Sequence, residues 1–167
     1  MMKLIFALLL ALYGNNINPT TDIANPFAAK EAAAPTGNEY IDAYLPVADS
    51  LESAFGIPAE VILSVAVIES GYGKSRNSKL LNNHFGIVGK NSLHKTHGIR
   101  SRYKQYSSVE DSYADFCGII SRKKFYPNMI GNEDPKAWVM AISKAGYSTH
   151  PTEWRRQVSN ALHKFFK

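Results

Sequence analysis

Apolar residues recur along this chain mainly at helical spacing, and the densest run is Val61-Ile62-Leu63-Ser64-Val65-Ala66-Val67-Ile68. A helix apolar on nearly every side has no face for water and belongs at the centre of a domain. Pro58 stands at a first-turn position ahead of it. Upstream, Tyr40, Ile41, Tyr44, Leu45, Ala48 and Leu51 form a helical stripe within 38–55 that Gly56 stops and that Pro46 must kink or restart. Downstream, Ser107-Ser108-Val109-Glu110 reads as a capping box, which opens a helix running to Ser121. Asp134-Pro135 starts another, with Trp138, Val139, Ala141 and Ile142 on its apolar face and Gly146 at its end. A last helix begins at Pro151 and aligns Trp154, Val158, Ala161, Leu162 and Phe165.

The stretch from Ser70 to Ser107 breaks this rhythm. It holds Gly71, Gly73, Gly86, Gly89 and Gly98, together with β-compatible pieces at 84–88 and 102–106, and predicts loops and a small hairpin. The expected fold class is therefore α+β, predominantly helical, with a minor β lobe inserted after the central helix.

The chain ends differ from its middle. Lys3 followed by the apolar stretch Leu4 to Tyr13 has the charge and length of a secretory signal, since a membrane span needs about 20 apolar residues. The expected organisation is a signal peptide over 1–14 with an unmarked cleavage site, a Pro-, Ala- and Asn-rich linker over 15–37, and one domain over 38–167. An exported protein follows, acting in the periplasm, the cell envelope or outside the cell, monomeric and without stable membrane insertion once the signal is removed. The single cysteine, Cys117, lies in an apolar helical pattern and reads as a buried, inert thiol; it excludes an internal disulfide or a thiolate metal cluster. The five histidines show no tight ligand spacing, so neither metal nor cofactor is expected.

Net charge is +5, and it is concentrated: from Ser70 to Ser108 the ionisable side chains include Lys74, Arg76, Lys79, Lys90, Lys95, Arg100, Arg102 and Lys104, with no Asp or Glu. Such a block attracts polyanions. For an exported chain an anionic envelope polymer ranks ahead of nucleic acid, which is not an expected partner, and a merely solvated basic surface is also common.

Glu69 ends the apolar run, with Ala66, Val65 and Ile62 three, four and seven residues before it on the same stripe. Burying its charge is costly, and a carboxyl held neutral by an apolar wall is what general-acid chemistry requires. On the helix alone, a glutamate that reaches past the core into water is favoured by roughly two to one.

Four segments shift those odds: Glu69-Ser70-Gly71-Tyr72-Gly73, Asn83-His84-Phe85-Gly86-Ile87, Tyr106-Ser107-Ser108-Val109-Glu110-Asp111-Ser112-Tyr113, and Lys144-Ala145-Gly146-Tyr147-Ser148-Thr149-His150-Pro151. In this order they resemble the motifs of the peptidoglycan-cleaving N-acetylglucosaminidases of the flagellar-hydrolase and autolysin type, glycoside hydrolase family 73, over Tyr40 to Phe165. The resemblance implies a lysozyme-like α+β fold with a substrate groove between an α lobe and a small β lobe, and hydrolysis of β-1,4 bonds between N-acetylglucosamine and N-acetylmuramic acid in peptidoglycan glycan strands. It assigns Glu69 as the catalytic acid and Tyr147 as a second residue of the cleavage site. Tyr72, Asn83, Phe85, Tyr106 and His150 become substrate-binding candidates, although Tyr72 and Asn83 are equally readable as structural, Phe85 as a plug between lobes and His150 as a cap of the last helix.

Two departures stand out. Many relatives carry a second acid in the hairpin, whereas no acidic residue lies between Glu69 and Glu110 here, and the capping box already accounts for Glu110. The family also usually has Asp where His150 stands. One carboxyl leaves three chemistries open: attack by water on an oxocarbenium-like centre, participation of the substrate's 2-acetamido group, or ring closure to an anhydro sugar as in lytic transglycosylases. A muramidase activity on the same polymer, or a peptidoglycan-binding module that has lost catalysis, are the alternatives.

Overall fold

The computed structural model describes residues 35–166; the expected signal peptide and nearly all of the expected linker lie outside them. Seven α-helices form the described domain: α1 (Glu39–Phe55), α2 (Ala59–Ser70), α3 (Arg76–Leu81), α4 (Leu93–His97), α5 (Val109–Ser121), α6 (Pro135–Lys144) and α7 (Pro151–Phe165), with a single 3-10 turn at Tyr126–Asn128.

Helix α2 is the hub, as its composition requires. Every residue from Val61 to Val67 is buried, and α2 packs against α1, α5, α6 and α7. Each fully buried Val, Ile or Leu contributes about 1.5–3 kcal/mol relative to exposure, so this helix dominates the core. Around it lie Ile41 and Ala48 of α1, Tyr113, Phe116 and Ile120 of α5, Trp138 and Ile142 of α6, and Trp154 and Val158 of α7. Cys117 is fully buried, and burial pushes its thiol up to about 12.

Local signals set the helix ends. Asn38 caps α1 by accepting the Ile41 amide, and Thr36 binds the Asp42 carboxylate through both its amide and its hydroxyl, which fixes the chain entering the domain. Pro46 does not restart α1, which runs unbroken through it to Gly56. Pro58 sits at the cap position of α2, one place before the first turn. Helix α5 does carry a capping box, but it is formed by Ser108 with Asp111. Glu110 is therefore released from the capping role assigned to it from the sequence.

The 70–107 insert differs most from expectation. Among the described residues it contains one isolated antiparallel bridge, Val88 with Tyr103, in place of a hairpin. Backbone hydrogen bonds from Gly89 to Arg102, Lys104 to Ile87 and Gln105 to Lys90 hold the two arms together. Between them the chain folds into α4, nucleated by Asn91, whose carbonyl oxygen accepts the Leu93 amide while its NH2 donates to Ser101 and Tyr103. A side chain that supplies these bonds removes the need for a strand ladder.

Candidate active site

The C-terminal turn of α2 delivers Glu69, half-buried, to a point where three other elements meet. The Trp154 indole N–H of α7 donates to Glu69 Oε1 at 2.8 Å. Gly86 lies against the other oxygen: a methyl group added there would stand 3.3 Å from Oε2. Its φ of +65° also suits glycine. Burial raises the Glu69 carboxyl above its ordinary range, against the opposing pull of the Trp154 hydrogen bond.

Tyr147 follows Gly146 at the end of α6. Its hydroxyl donates to the Phe85 carbonyl at 2.9 Å, and its ring lies 5.3 Å from that of Trp154. Burial, then the neighbouring Glu69 charge, pushes the phenol well above 10, so it persists as a hydrogen-bond donor. Trp154 thus touches both Glu69 and Tyr147, and so does the Phe85-Gly86 backbone, through the Phe85 carbonyl on Tyr147 and Gly86 against Glu69. A carboxyl raised by burial and oriented by one indole, beside a neutral phenol, has the groups that handing a proton to an incoming oxygen requires.

The other sequence candidates divide. Tyr72 is half-buried, holds a left-handed φ of 57°, and meets Tyr40 and Phe165 edge-on; it borders a polar hollow of ≈ 740 Å³ shared with Asn38, Lys74 and Lys164. A side chain forced into that backbone region marks a site held by its surroundings. Asn83 is buried and spends its amide on backbone, donating to Ile87 and Lys104 at 2.8 Å each and accepting from Phe85 and Ile87. The Phe85 ring is 2% exposed and stacks on Phe116 at 4.4 Å. Both side chains are thus engaged within the domain, and the Phe85 carbonyl is the group of this pair that binds Tyr147. The plug reading of the Phe85 ring agrees with this packing.

Tyr106 is 8% exposed; its hydroxyl donates to Asp115, which also pairs with Lys104. Burial first, then Asp115, raises its phenol. The side chain faces a carboxylate of the same domain. His150 is exposed at the cap position of α7, where its side chain makes no capping bond and meets Thr149 instead. Of the basic block, Lys104 is tied down while Lys74, Arg76, Lys79, Lys90, Lys95, Arg100 and Arg102 are exposed.

Trp154 is the participant that sequence reasoning passed over, having placed it only on an apolar stripe. Its signal was available in principle: a buried indole needs an acceptor for its N–H. Among the described residues no group of three His, Cys, Asp or Glu is arranged to hold a metal, and no helix is long and apolar enough to cross a membrane.

Known proteins share this arrangement's frame. The chain is 24% identical over 156 residues to the peptidoglycan hydrolase FlgJ of Pseudomonas aeruginosa, covering 80% of this chain and 38% of that protein. It is 24% identical over 143 residues to the exo-glucosaminidase LytG of Bacillus subtilis, covering 75% and 50%. The chain thus spans half or less of the length of these curated relatives. Two solved structures share the fold: a C-terminally truncated glycoside hydrolase domain of Salmonella typhimurium FlgJ, with TM-score 0.61, 20% identity, and 76% and 95% of the two chains covered; and the catalytic domain of the autolysin Auto from Listeria monocytogenes, with TM-score 0.62, 18% identity, and 83% and 89% covered. The family profile described as glucosaminidase, mannosyl-glycoprotein endo-beta-N-acetylglucosaminidase, matches residues 45–166, and the chain belongs to this family of glycoside hydrolases.

Proposed function

We propose that this protein hydrolyses β-1,4 bonds between N-acetylglucosamine and N-acetylmuramic acid in peptidoglycan, with Glu69 as the general acid. The observation that carries the reading is the Glu69 carboxyl, raised by burial, anchored by the Trp154 N–H at 2.8 Å and flanked by Tyr147. Glu69 gives its proton to the bridging glycosidic oxygen as the bond to C1 breaks. A water molecule then forms the new bond at C1 and its surplus proton returns to Glu69. Tyr147, whose one proton is held by the Phe85 carbonyl, serves the same site as an acceptor that orients the acetamido N–H or the water.

The sugar chain runs in a groove bounded by the α2 and α7 ends and the 84–106 segment, which takes the place of a β lobe. Tyr72 and His150 contact substrate at its edges. The exposed basic side chains of the insert favour an anionic wall polymer, and nucleic acid is not a partner. The protein is exported by its N-terminal signal and works as a monomer in the cell envelope. The relatives support this reading through their printed names, peptidoglycan hydrolase and exo-glucosaminidase.

Digestion of purified peptidoglycan followed by mass spectrometry tests the proposal. New reducing N-acetylglucosamine ends that vanish in Glu69→Gln are expected. Anhydro ends would replace hydrolysis with transglycosylation, reducing N-acetylmuramic acid ends would indicate a muramidase, and binding without new ends between mildly acidic and neutral pH would leave a recognition module. Product size distinguishes cutting within strands from trimming at their ends.

A further inference from the structure

Behind the Glu69 turn lies a buried polar cluster that the proposed reaction does not use. The Tyr40 hydroxyl of α1 is 2.7 Å from His84 Nδ1, 2.9 Å from the Tyr113 hydroxyl and 3.3 Å from Ser70 Oγ. The Tyr40 and His84 rings stack at 5.6 Å, and Tyr44 packs edge-on against His84. We propose that Tyr40 and His84 are positioning residues, which together hold the turn carrying Glu69 against the Phe85–Gly86 backbone that anchors Tyr147. The proposal rests on the reading of Glu69 as the acid.

Proton counting gives the cluster one direction. A phenol has one proton and two lone pairs. Ser70 Oγ accepts the Gly73 amide at 2.8 Å and donates its own proton to Tyr40. If Tyr113 also donates to Tyr40, the Tyr40 proton goes to His84 Nδ1 and no O–H is left over. The reverse order would leave the fully buried Tyr113 hydroxyl with a proton and no acceptor, which burial makes costly. His84 is thus a neutral acceptor protonated on Nε2. Its environment agrees: it is 3% exposed, and burial pulls it down to about 4 against the opposing Glu110 charge. Tyr40 is pushed up to about 12 by burial, and burial likewise raises Tyr113. The cluster is uncharged throughout the neutral range.

Both of its arms end at the candidate active site. Through Ser70 it grips the residue next to Glu69 and the turn Gly71-Tyr72-Gly73, three consecutive left-handed residues. The turn rests directly on the pair, because a methyl group at Gly73 would meet Tyr40 Cε2 at 3.1 Å and His84 Cε1 at 3.4 Å. Through His84 it holds the residue before Phe85, whose carbonyl binds Tyr147, and two before Gly86, which abuts Glu69. One hydroxyl therefore joins the turn that carries Glu69 to the segment whose carbonyl holds Tyr147.

The test uses the whole chain labelled with 15N, in which the two tryptophans give two indole N–H signals. In Tyr40→Phe the Trp154 signal moves, because Glu69 shifts, while that of Trp138, bonded to the Asn132 carbonyl, stays. On peptidoglycan fragments kcat falls about tenfold with KM within about twofold, as loss of alignment predicts. Combining Tyr40→Phe with Tyr147→Phe costs less than the product of the two single losses, since both act on one geometry. His84→Asn, which retains an acceptor near the Nδ1 position, keeps the Trp154 signal and most of kcat, whereas His84→Leu loses both. Should Tyr40→Phe not fold, the two His84 variants decide alone. An unmoved Trp154 signal with unchanged kcat, or strictly multiplicative losses, overturns the proposal. The spectral arm needs no turnover, so an inactive wild type or an active Glu69→Gln would defeat the reading of Glu69 without obscuring the positioning result.

Discussion

Gly86 makes two demands on its position, and Gly86→Ala separates them. The backbone stands at φ +65°, where an L-residue costs roughly 1–2 kcal/mol, partly offset by the lower unfolded-state entropy of alanine. A net loss of about 1 kcal/mol over a domain of this size lowers Tm by about 4 °C, from an unfolding entropy of about 2.1 cal/mol/K per residue. The second demand is contact: the new methyl sits 3.3 Å from Glu69 Oε2, tight enough to displace the carboxylate by a few tenths of an ångström. If Glu69 is the acid, as proposed above, a displacement of that order costs about five- to tenfold in kcat. The added methyl also excludes water, which raises the carboxyl further and moves the alkaline limb of the pH–rate profile upward. Gly98→Ala is the control, since Gly98 has φ +67° and open space around it. Thermal melts should give both variants similar losses, while turnover of peptidoglycan fragments, corrected for folded fraction, should fall only in Gly86→Ala. Equal turnover in the two variants would refute the claim that Gly86 is there for the carboxyl.

Three further outcomes follow from burial. Because the folded-state Glu69 carboxyl is raised, its contribution to stability is full below pH 4.5 and declines as pH rises through the folded value; Glu69→Gln should therefore match wild type in urea melts at pH 4 and exceed it at pH 8, while abolishing hydrolysis. His84 has the opposite sign: with a folded value of about 4, its stabilisation is present above 6.5 and lost as pH falls toward 4, up to about 3 kcal/mol at 1.36 kcal/mol per unit, and His84→Asn should flatten that part of the stability–pH curve. Ser64, fully buried in α2 with its hydroxyl unpartnered, should give a more stable protein as Ser64→Ala, by about 1 kcal/mol in denaturant titration, since alanine removes the orphan group and favours the helix.

What the sequence determined by itself was local or periodic. The all-round apolarity of 61–68 specified a buried helix, and Asn38, Gly56, Asp134 and Pro151 mark helix ends because caps act over one turn. Glu69 stood out for the same reason, as a carboxyl on an apolar stripe, but the stripe alone favoured a glutamate reaching into water, and its proposed role came from the motif resemblance. Tertiary structure decided between local options of similar merit. Ser107…Glu110 and Ser108…Asp111 offer two capping registers one residue apart, and the burial of Tyr113, Phe116 and Ile120 accompanies the second. The 84–106 segment has strand-like composition, yet the Asn83 and Asn91 amides bind its carbonyls and leave room for α4. The partners of Glu69 were beyond local reach. Trp154 lies 85 residues away and Phe85 meets Tyr147 across 62, and such hydrogen bonds exist only because α2, α6 and α7 converge on one core. Periodicity reports which face of a helix is buried; it carries no information on which buried group it will meet.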